Sequence, residues 1–346
     1  MVEEIHHQLS KAYGFPGSKY LPKIFEMCLT KEEVSVLLSL PATPEEVATK
    51  LGVGVPKAAK ILRELFKKGF AAYKQVDDRL RYGLITRVNE SIVPDKRDFE
   101  KFGGEFLDLW KHHVDEERLP NLEPSELKLA YGRVIPVEKT IPMKWGEILP
   151  HERVSEILEN AKTIAVTECH CRIINRQCDN ATDVCLLVNE FADMFIERDV
   201  GKKISKEEAL SILERCEDLG LVHQLNNSET EGIEFICNCC GCCCDILRGM
   251  MVFGKKGVTA QSRFVSSVNK ELCDGCGICV TRCNFKAMNI VDSLAVVDKE
   301  KCFGCGLCAS KCPTSAIELI QVREPEYIID NLDEAPPVPI DSYMIK

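Results

Sequence analysis

The sequence predicts an α+β chain in three parts: a helical N-terminal unit closed by a hairpin, an α/β cysteine-rich middle domain, and a small C-terminal module. Three observations predict it. Residues 31–68 place apolar side chains at helical spacing and are followed by two extended segments around Asp77-Asp78. Residues 151–250 mix helical and strand-like patterns and hold ten clustered cysteines. Residues 273–312 contain the same four-cysteine run twice.

The N-terminal unit is assigned residues 1–90. Residues 31–40 read as a short amphipathic helix, and Pro41-Ala42-Thr43-Pro44 as a turn. Thr43 is placed to cap a second helix, with Pro44 at its first position and Glu46 three residues on; Gly52 stops it. A third helix runs from about Pro56 to Lys68, with Ala58, Ile61, Leu62 and Leu65 on one face and Gly69 at its end. Residues 70–76 and 79–84 make the hairpin. Three helices followed by a hairpin resemble a winged helix-turn-helix domain.

Residues 91–150 read as a connector, helical over 102–110 and extended over 133–137. The middle domain spans 151–268. It is expected to carry a helix over 151–160, a buried strand over 163–166, and a long helix over 184–197. A capping box, Ser205-x-x-Glu208, opens a helix ending at Gly220, and strands follow at 221–224 and 233–236. The C-terminal module is assigned 269–322, and 323–346 an extended acidic tail.

A chain of 346 residues, 45% apolar and 28% charged, can bury a core without cross-links, so its 20 cysteines need another explanation. All but Cys28 lie between Cys169 and Cys312. Cys28 and Cys216 stand alone and are read as small core residues. The others form clusters, and Cys-x-Cys or Cys-Cys pairs rarely satisfy disulfide geometry. Met1-Val2-Glu3-Glu4-Ile5 is acidic and lacks an apolar signal segment. The most apolar long stretch, 235–253, contains Asn238, Asp245 and Arg248, so no membrane insertion is expected. A cytoplasmic, reducing compartment follows, where clustered cysteines act as metal ligands. So many oxidisable thiolates favour an anaerobic cell.

The two runs are Cys273-x2-Cys276-x2-Cys279-x3-Cys283 and Cys302-x2-Cys305-x2-Cys308-x3-Cys312-Pro313. They resemble bacterial two-[4Fe-4S] ferredoxins over about 50 residues. In that arrangement three cysteines of a run bind one cluster and the fourth ligates the other. The resemblance therefore implies one cluster on Cys273, Cys276, Cys279 and Cys312, and a second on Cys302, Cys305, Cys308 and Cys283. Gly275, Gly277, Gly304 and Gly306 let the backbone approach closely. Asn284 stands where the pattern has proline. A zinc site built from Cys-x2-Cys pairs is the alternative reading.

The second constellation is Cys169-His170-Cys171-Arg172 with Cys178 and Cys185, and then Cys237-Asn238-Cys239-Cys240-Gly241-Cys242-Cys243-Cys244. Cys237, Cys240 and Cys243 repeat the ferredoxin spacing, so one loop is expected to supply three corners of a cluster, with Cys169 or Cys171 as the fourth ligand. Cys239, Cys242 and Cys244 with Cys178 and Cys185 are candidates for a second cluster. The Cys-Asn-x-Cys-Gly-x-Cys arrangement is similar to that of epoxyqueuosine reductases. Cys239-Cys240-Gly241 resembles the Cys-Cys-Gly motif of heterodisulfide reductase, which implies a non-cubane cluster shared among more than four cysteines. Structural zinc is again the alternative.

Taken with Arg133-Val134-Ile135-Pro136-Val137-Glu138-Lys139, Ile204-Ser205-Lys206-Glu207-Glu208-Ala209-Leu210 and Gly220-Leu221-Val222-His223-Gln224, these clusters resemble a group of uncharacterised anaerobe 4Fe-4S ferredoxin-like proteins. That resemblance implies clusters and electron transfer, with no particular reaction. His170 and His223 are candidates for metal ligation or proton relay.

No Walker loop, Rossmann glycine pattern or hydrolase triad is present. The expected function is low-potential electron transfer to or from a redox protein or oxidoreductase complex. The alternatives are a redox-sensing DNA-binding regulator and a reductase acting at the middle-domain cluster. Lys57, Lys60, Arg63, Lys67 and Lys68 on the third helix, with Arg79 and Arg81 on the wing, offer DNA contacts. Residues 1–90 carry 14 basic and 11 acidic residues, only +3 within a chain of net −10, so the overall field opposes DNA. A docking role is expected for that unit.

Overall fold

The computed structural model describes residues 3–85, 96–122, 130, 132–141, 149, 152–226, 233–324 and 327. The acidic tail expected beyond residue 327 lies outside them, as does His151. The architecture is α+β.

Two helices, α1 (Glu4–Ala12) and α2 (Leu21–Cys28), precede the expected helical unit. Then come α3 (Lys31–Leu38), α4 (Pro44–Leu51) and α5 (Val55–Lys67). Thr30 with Glu33, and Thr43 with Glu46, form reciprocal caps that satisfy orphan amides at each helix start. Gly52 ends α4 at φ +65°. The hairpin β1 (Ala71–Val76) and β2 (Arg79–Leu84) turns at Asp77 and Asp78, both at positive φ, which suits the strand twist. Ala42, between α3 and α4, bridges to Tyr82 on β2.

The connector forms α6 (Lys96–Phe102) and α7 (Gly104–His112), which continues as a π-helical turn over His113–Arg118. Trp110 on α7 is fully buried. The middle domain is built from β3 (Gly132–Val134), α8 (Val154–Asn160), β4 (Ile164–Glu168), α9 (His170–Asn175), β5 (Asp183–Val188), α10 (Asn189–Glu197), β6 (Gly201–Lys203), α11 (Lys206–Asp218), β7 (Val222–Asn226), β8 (Phe235–Cys239), α12 (Asp245–Met251) and β9 (Thr259–Ala260). The strands form one seven-stranded sheet, ordered β6-β4-β5-β8-β7-β3-β9. Only the β3–β9 pair is parallel.

The long helix expected over 184–197 is two elements. Val184, Leu186 and Val188 alternate in a strand held between β4 and β8, and the helix starts only at Asn189, which takes φ +55°. Apolar residues on both faces of a central strand imitate helical spacing over so short a stretch. The strand expected at 233–236 begins two residues later and runs on through Cys239.

Side-chain alternation divides the sheet. Ile164, Leu186, Val188, Leu225 and Ile236 pack with α8 and α11. On the opposite face, Ala165, Leu187 and Phe235 pack with Ile173 of α9, Phe191 and Phe195 of α10, and the N-terminal helices. One apolar core therefore runs from the N-terminal unit into the sheet. At its edge Arg63 of α5 donates to Glu197 at 2.5 Å, Lys67 pairs with Asp199 at 2.5 Å, and the Tyr73 hydroxyl meets Glu197 at 2.7 Å.

The last segment folds as β10 (Phe264–Val268), α13 (Ile278–Thr281), β11 (Met288–Val291), β12 (Leu294–Val297) and β13 (Ile317–Gln321). β10 pairs with β13 and β11 with β12. A buried ion pair, Arg263 to Glu152 at 2.6 and 2.8 Å, fastens this module to the start of the middle domain.

Candidate metal centres

The two cysteine runs fold as interlocked halves. Cys273, Cys276, Cys279 and Cys312 line one small cavity with Gly275, Gly277 and Pro313. Cys283 instead lies within electrostatic reach of Cys305 and Cys308, both of which also face Cys302. The fourth cysteine of each run thus sits with the other run. The pairing of β10 with β13 and the β11–β12 hairpin produce this exchange, because Cys283 precedes β11 and Cys312 precedes β13.

Backbone amides point at these sulfurs. Ala295 donates to Cys273 at 3.4 Å, Ala287 to Cys283 at 3.2 Å, Ser266 to Cys302 at 3.4 Å and Ala316 to Cys312 at 3.3 Å. The Ser266 hydroxyl lies 3.2 Å from Cys308. Gly304 sits at φ +65°, and a Cβ there would fall 2.1 Å from the Phe264 carbonyl oxygen, so the loop closes only with glycine.

Ten of the eleven middle-domain cysteines, all but Cys216, separate into two groups. Six thiols form a closed ring of contacts in the order Cys169, Cys171, Cys244, Cys239, Cys237, Cys185. They surround a cavity of about 100 Å³, walled on its other side by Leu187, Phe191, Phe195 and Phe235. The remaining four, Cys178, Cys240, Cys242 and Cys243, have all their sulfurs within 4.8 Å of one another.

This partition corrects the expected sets. Cys237 does not group with Cys240 and Cys243; it joins Cys169, Cys171, Cys185, Cys239 and Cys244. The Cys-x2-Cys reading assumed a loop from Cys237 onward, whereas β8 stays extended through Cys239. In a strand, residues two apart share a face. Cys237 and Cys239 therefore point together, beside Cys185 of β5, into the cavity. Asn238 points the other way: its Oδ1 accepts from His223 Nδ1 at 2.6 Å and its Nδ2 donates to the Val184 carbonyl at 2.5 Å. His223 is thus buried across the sheet from the six thiols. His170 lines the cavity, its Nε2 3.5 Å from Cys171 Sγ. Cys216 is fully buried beside the thiol groups, among Val184 and Leu221.

Sequence reasoning passed over the polar frame. Arg172, 3% exposed, donates to the Ala181 and Asn238 carbonyls at 2.8 and 2.5 Å and hydrogen-bonds Cys240. Burial opposes its charge, yet Cys169, Cys240 and Cys185 raise its basicity. A hydrogen bond from Cys243, and then Arg172, hold the Cys240 thiol low against its burial. Hydrogen bonding to Cys171 pushes Cys169 up to about 12. Asn175 donates to the Cys171 and Cys243 carbonyls at 3.1 and 3.0 Å, and Arg248 ties it to Asp115. The visible signal for this frame was the arginine immediately after Cys169-His170-Cys171.

Residues 295–318 match the family model of the 4Fe-4S binding domain. The chain is an iron–sulfur protein. The matched segment holds Cys302, Cys305, Cys308 and Cys312, and it supports an electron-transfer role. No curated protein and no solved structure matches the chain. Among the described residues, no helix is long and apolar enough to cross a membrane.

The residues fit such a cofactor: thiols converge from separate loops, and amide donors at four of the sulfurs are placed to offset the negative charge of a cluster. Gly304→Ala is therefore expected to expel the iron–sulfur group from the Cys302 side. Iron and sulfide assay of that variant, prepared without oxygen, checks it; iron content equal to the parent contradicts it.

The module and the middle domain meet through Asn284. Its side chain accepts from Gly241 N and donates to the Gly220 carbonyl, both at 2.9 Å. Proline, the residue of the ferredoxin pattern, could make neither bond. Next to it Phe285 stacks on Phe303 at 4.3 Å and shares an apolar cluster with Cys239, Cys244, Cys283 and Cys305. Asn284→Ala removes both bonds and is expected to cost about 1–3 kcal/mol, read by chemical denaturation.

Proposed function

We propose that this chain is an electron-transfer protein in which a two-[4Fe-4S] module, residues 269–322, exchanges electrons with a further iron–sulfur cluster in the six-thiol cavity of the middle domain. In this reading Cys273, Cys276, Cys279 and Cys312 hold one cluster, and Cys302, Cys305, Cys308 and Cys283 the other. Cys169, Cys171, Cys185, Cys237, Cys239 and Cys244 supply the ligands of the third. The observation that carries it is the apolar cluster around Phe285, to which Cys239 and Cys244 of the cavity belong and against which Cys283 and Cys305 of the module pack. Each bound cluster supplies a one-electron couple. The chain's part is to hold the thiolates, to aim amides at them, and to keep water out of the contact between the two sites. The outer partner is a redox protein or oxidoreductase complex, met at the module's more exposed end, where Cys276 is exposed.

The paired variant Cys237→Ser/Cys239→Ser tests the third site. It is expected to lose about four irons per chain while the module keeps its eight. Unchanged iron content would remove the cavity from the scheme.

The described residues of the N-terminal unit, 3–85, fit the winged-helix resemblance in their order of helices, bridge and hairpin. Arg63 and Lys67, two of the cations a recognition helix would offer to phosphates, are engaged with Glu197 and Asp199. This favours docking of the unit on the chain's own sheet over DNA binding. No salt-dependent, nanomolar gel shift on promoter fragments is expected; one would restore the regulator reading. Reductase chemistry at the cavity is a second reading, favoured by its apolar wall of Phe191, Phe195 and Phe235.

A further inference from the structure

We propose that Cys178, Cys240, Cys242 and Cys243 hold a single tetrahedral zinc ion, distinct from every iron–sulfur site of the chain. Cys178 Sγ lies 3.8 Å from Cys240 Sγ and 3.7 Å from Cys243 Sγ, and all four sulfurs are within 4.8 Å of one another. Four thiolates at the zinc–sulfur distance of about 2.3 Å, at the corners of a tetrahedron, stand about 3.8 Å apart. A cubane binds each thiolate to a different iron, which spreads its ligands wider than one ion does. Among the described residues, the eight thiols of the ferredoxin runs form no set this tight.

The chain reaches this arrangement without strain on either side. Cys240, Cys242 and Cys243 come from one turn, closed by the Cys244 amide donating to the Cys240 carbonyl at 3.1 Å. Cys178 comes from the separate segment between α9 and β5. Two ligands are buried, Cys178 is half-buried and Cys242 is exposed, which gives an ion a way in.

The surroundings suit four thiolates around a dication, a unit of net charge −2. The buried Arg172 guanidinium hydrogen-bonds Cys240, and Asn180 Nδ2 donates to Cys178 at 3.5 Å. Such donors orient ligands and offset their charge. Loading the site releases thiol protons and involves no electron transfer, since zinc has no accessible redox change.

The position gives the ion a purpose. The zinc turn is bracketed in sequence by Cys239 and Cys244, both members of the six-thiol ring. A redox-inert ion there fixes the backbone that presents those two thiols, whatever the oxidation state of the neighbouring cluster.

The test uses the full chain purified without oxygen. Metal analysis is expected to give one zinc per chain, and zinc-edge X-ray absorption four sulfur neighbours at about 2.3 Å. Cys242→Ser, which alters the exposed ligand, is expected to bring zinc to background after chelator dialysis, with the reduced-state EPR signals of the iron–sulfur module retained. Zinc absent from the parent, zinc bound by nitrogen or oxygen, iron in its place, or zinc unchanged in Cys242→Ser would each overturn the proposal. Missing, differently ligated or unchanged zinc leaves the iron count as it is, and iron in the four-thiol site would be lost in Cys242→Ser but kept in Cys237→Ser/Cys239→Ser, so the two readings fail separately.

Discussion

Cys312→Ser is expected to destroy the cluster on the Cys273, Cys276 and Cys279 side, although Cys312 belongs by sequence to the other run. The reason is the crossing: Cys312 lines the same small cavity as those three cysteines, while Cys283 stands with Cys305 and Cys308. Serine cannot replace a thiolate of that softness. The module should retain about four of its eight irons, and reduced-state EPR should keep the signal that Cys283→Ser removes. Loss of the Cys302-side signal in Cys312→Ser would mean that each run serves its own cluster.

Glu152→Ala is expected to be the most destabilising single change outside the cysteines, by about 3–5 kcal/mol. Glu152 receives Nε and an Nη of Arg263 at 2.8 and 2.6 Å, and both side chains are almost fully buried. Arg133, buried alongside, feels both groups. Burial lowers it to about 10, Glu152 opposes that fall and Arg263 adds to it. Without the carboxylate, Arg263 loses both of these bonds at a buried position, and Arg133 loses the charge that offsets its burial. By contrast Lys301→Ala breaks an exposed pair with Asp298 and should cost less than about 1 kcal/mol. Denaturant titration compares the two; equal costs would show that the Glu152 pair is not the clamp described.

Much of the N-terminal unit was legible because its signals are local. The Thr43 cap, the Gly52 stop and the Asp77-Asp78 turn each act within a few residues, and the structure uses all three. The two ferredoxin runs were legible for the same reason, since spacing alone carries them. The middle domain was not. Its sheet order, β6-β4-β5-β8-β7-β3-β9, joins strands far apart in sequence, and nothing local encodes which strand pairs with which. The cysteine block was misgrouped because spacing was read as if the backbone were a loop. The decision between strand and loop at Cys239 reassigns every thiol that follows. Arg172, Asn175 and Asn238 were missed since a polar residue gains its role only when the fold buries it among partners. Asn284 was noticed as a departure from the ferredoxin pattern, but its use as the joint to Gly241 and Gly220 needed the neighbouring domain.

Iron counting tests most directly whether the chain holds a third iron–sulfur site beside the two proposed for the module. Protein prepared without oxygen, assayed for iron and acid-labile sulfide and examined by EPR during stepwise reduction, is expected to hold about 12 or more irons per chain. A further signal should then interact magnetically with those of the module, because Phe285 brings the two sets of thiols into one apolar cluster. Eight irons per chain, with signals from the module alone, would contradict it.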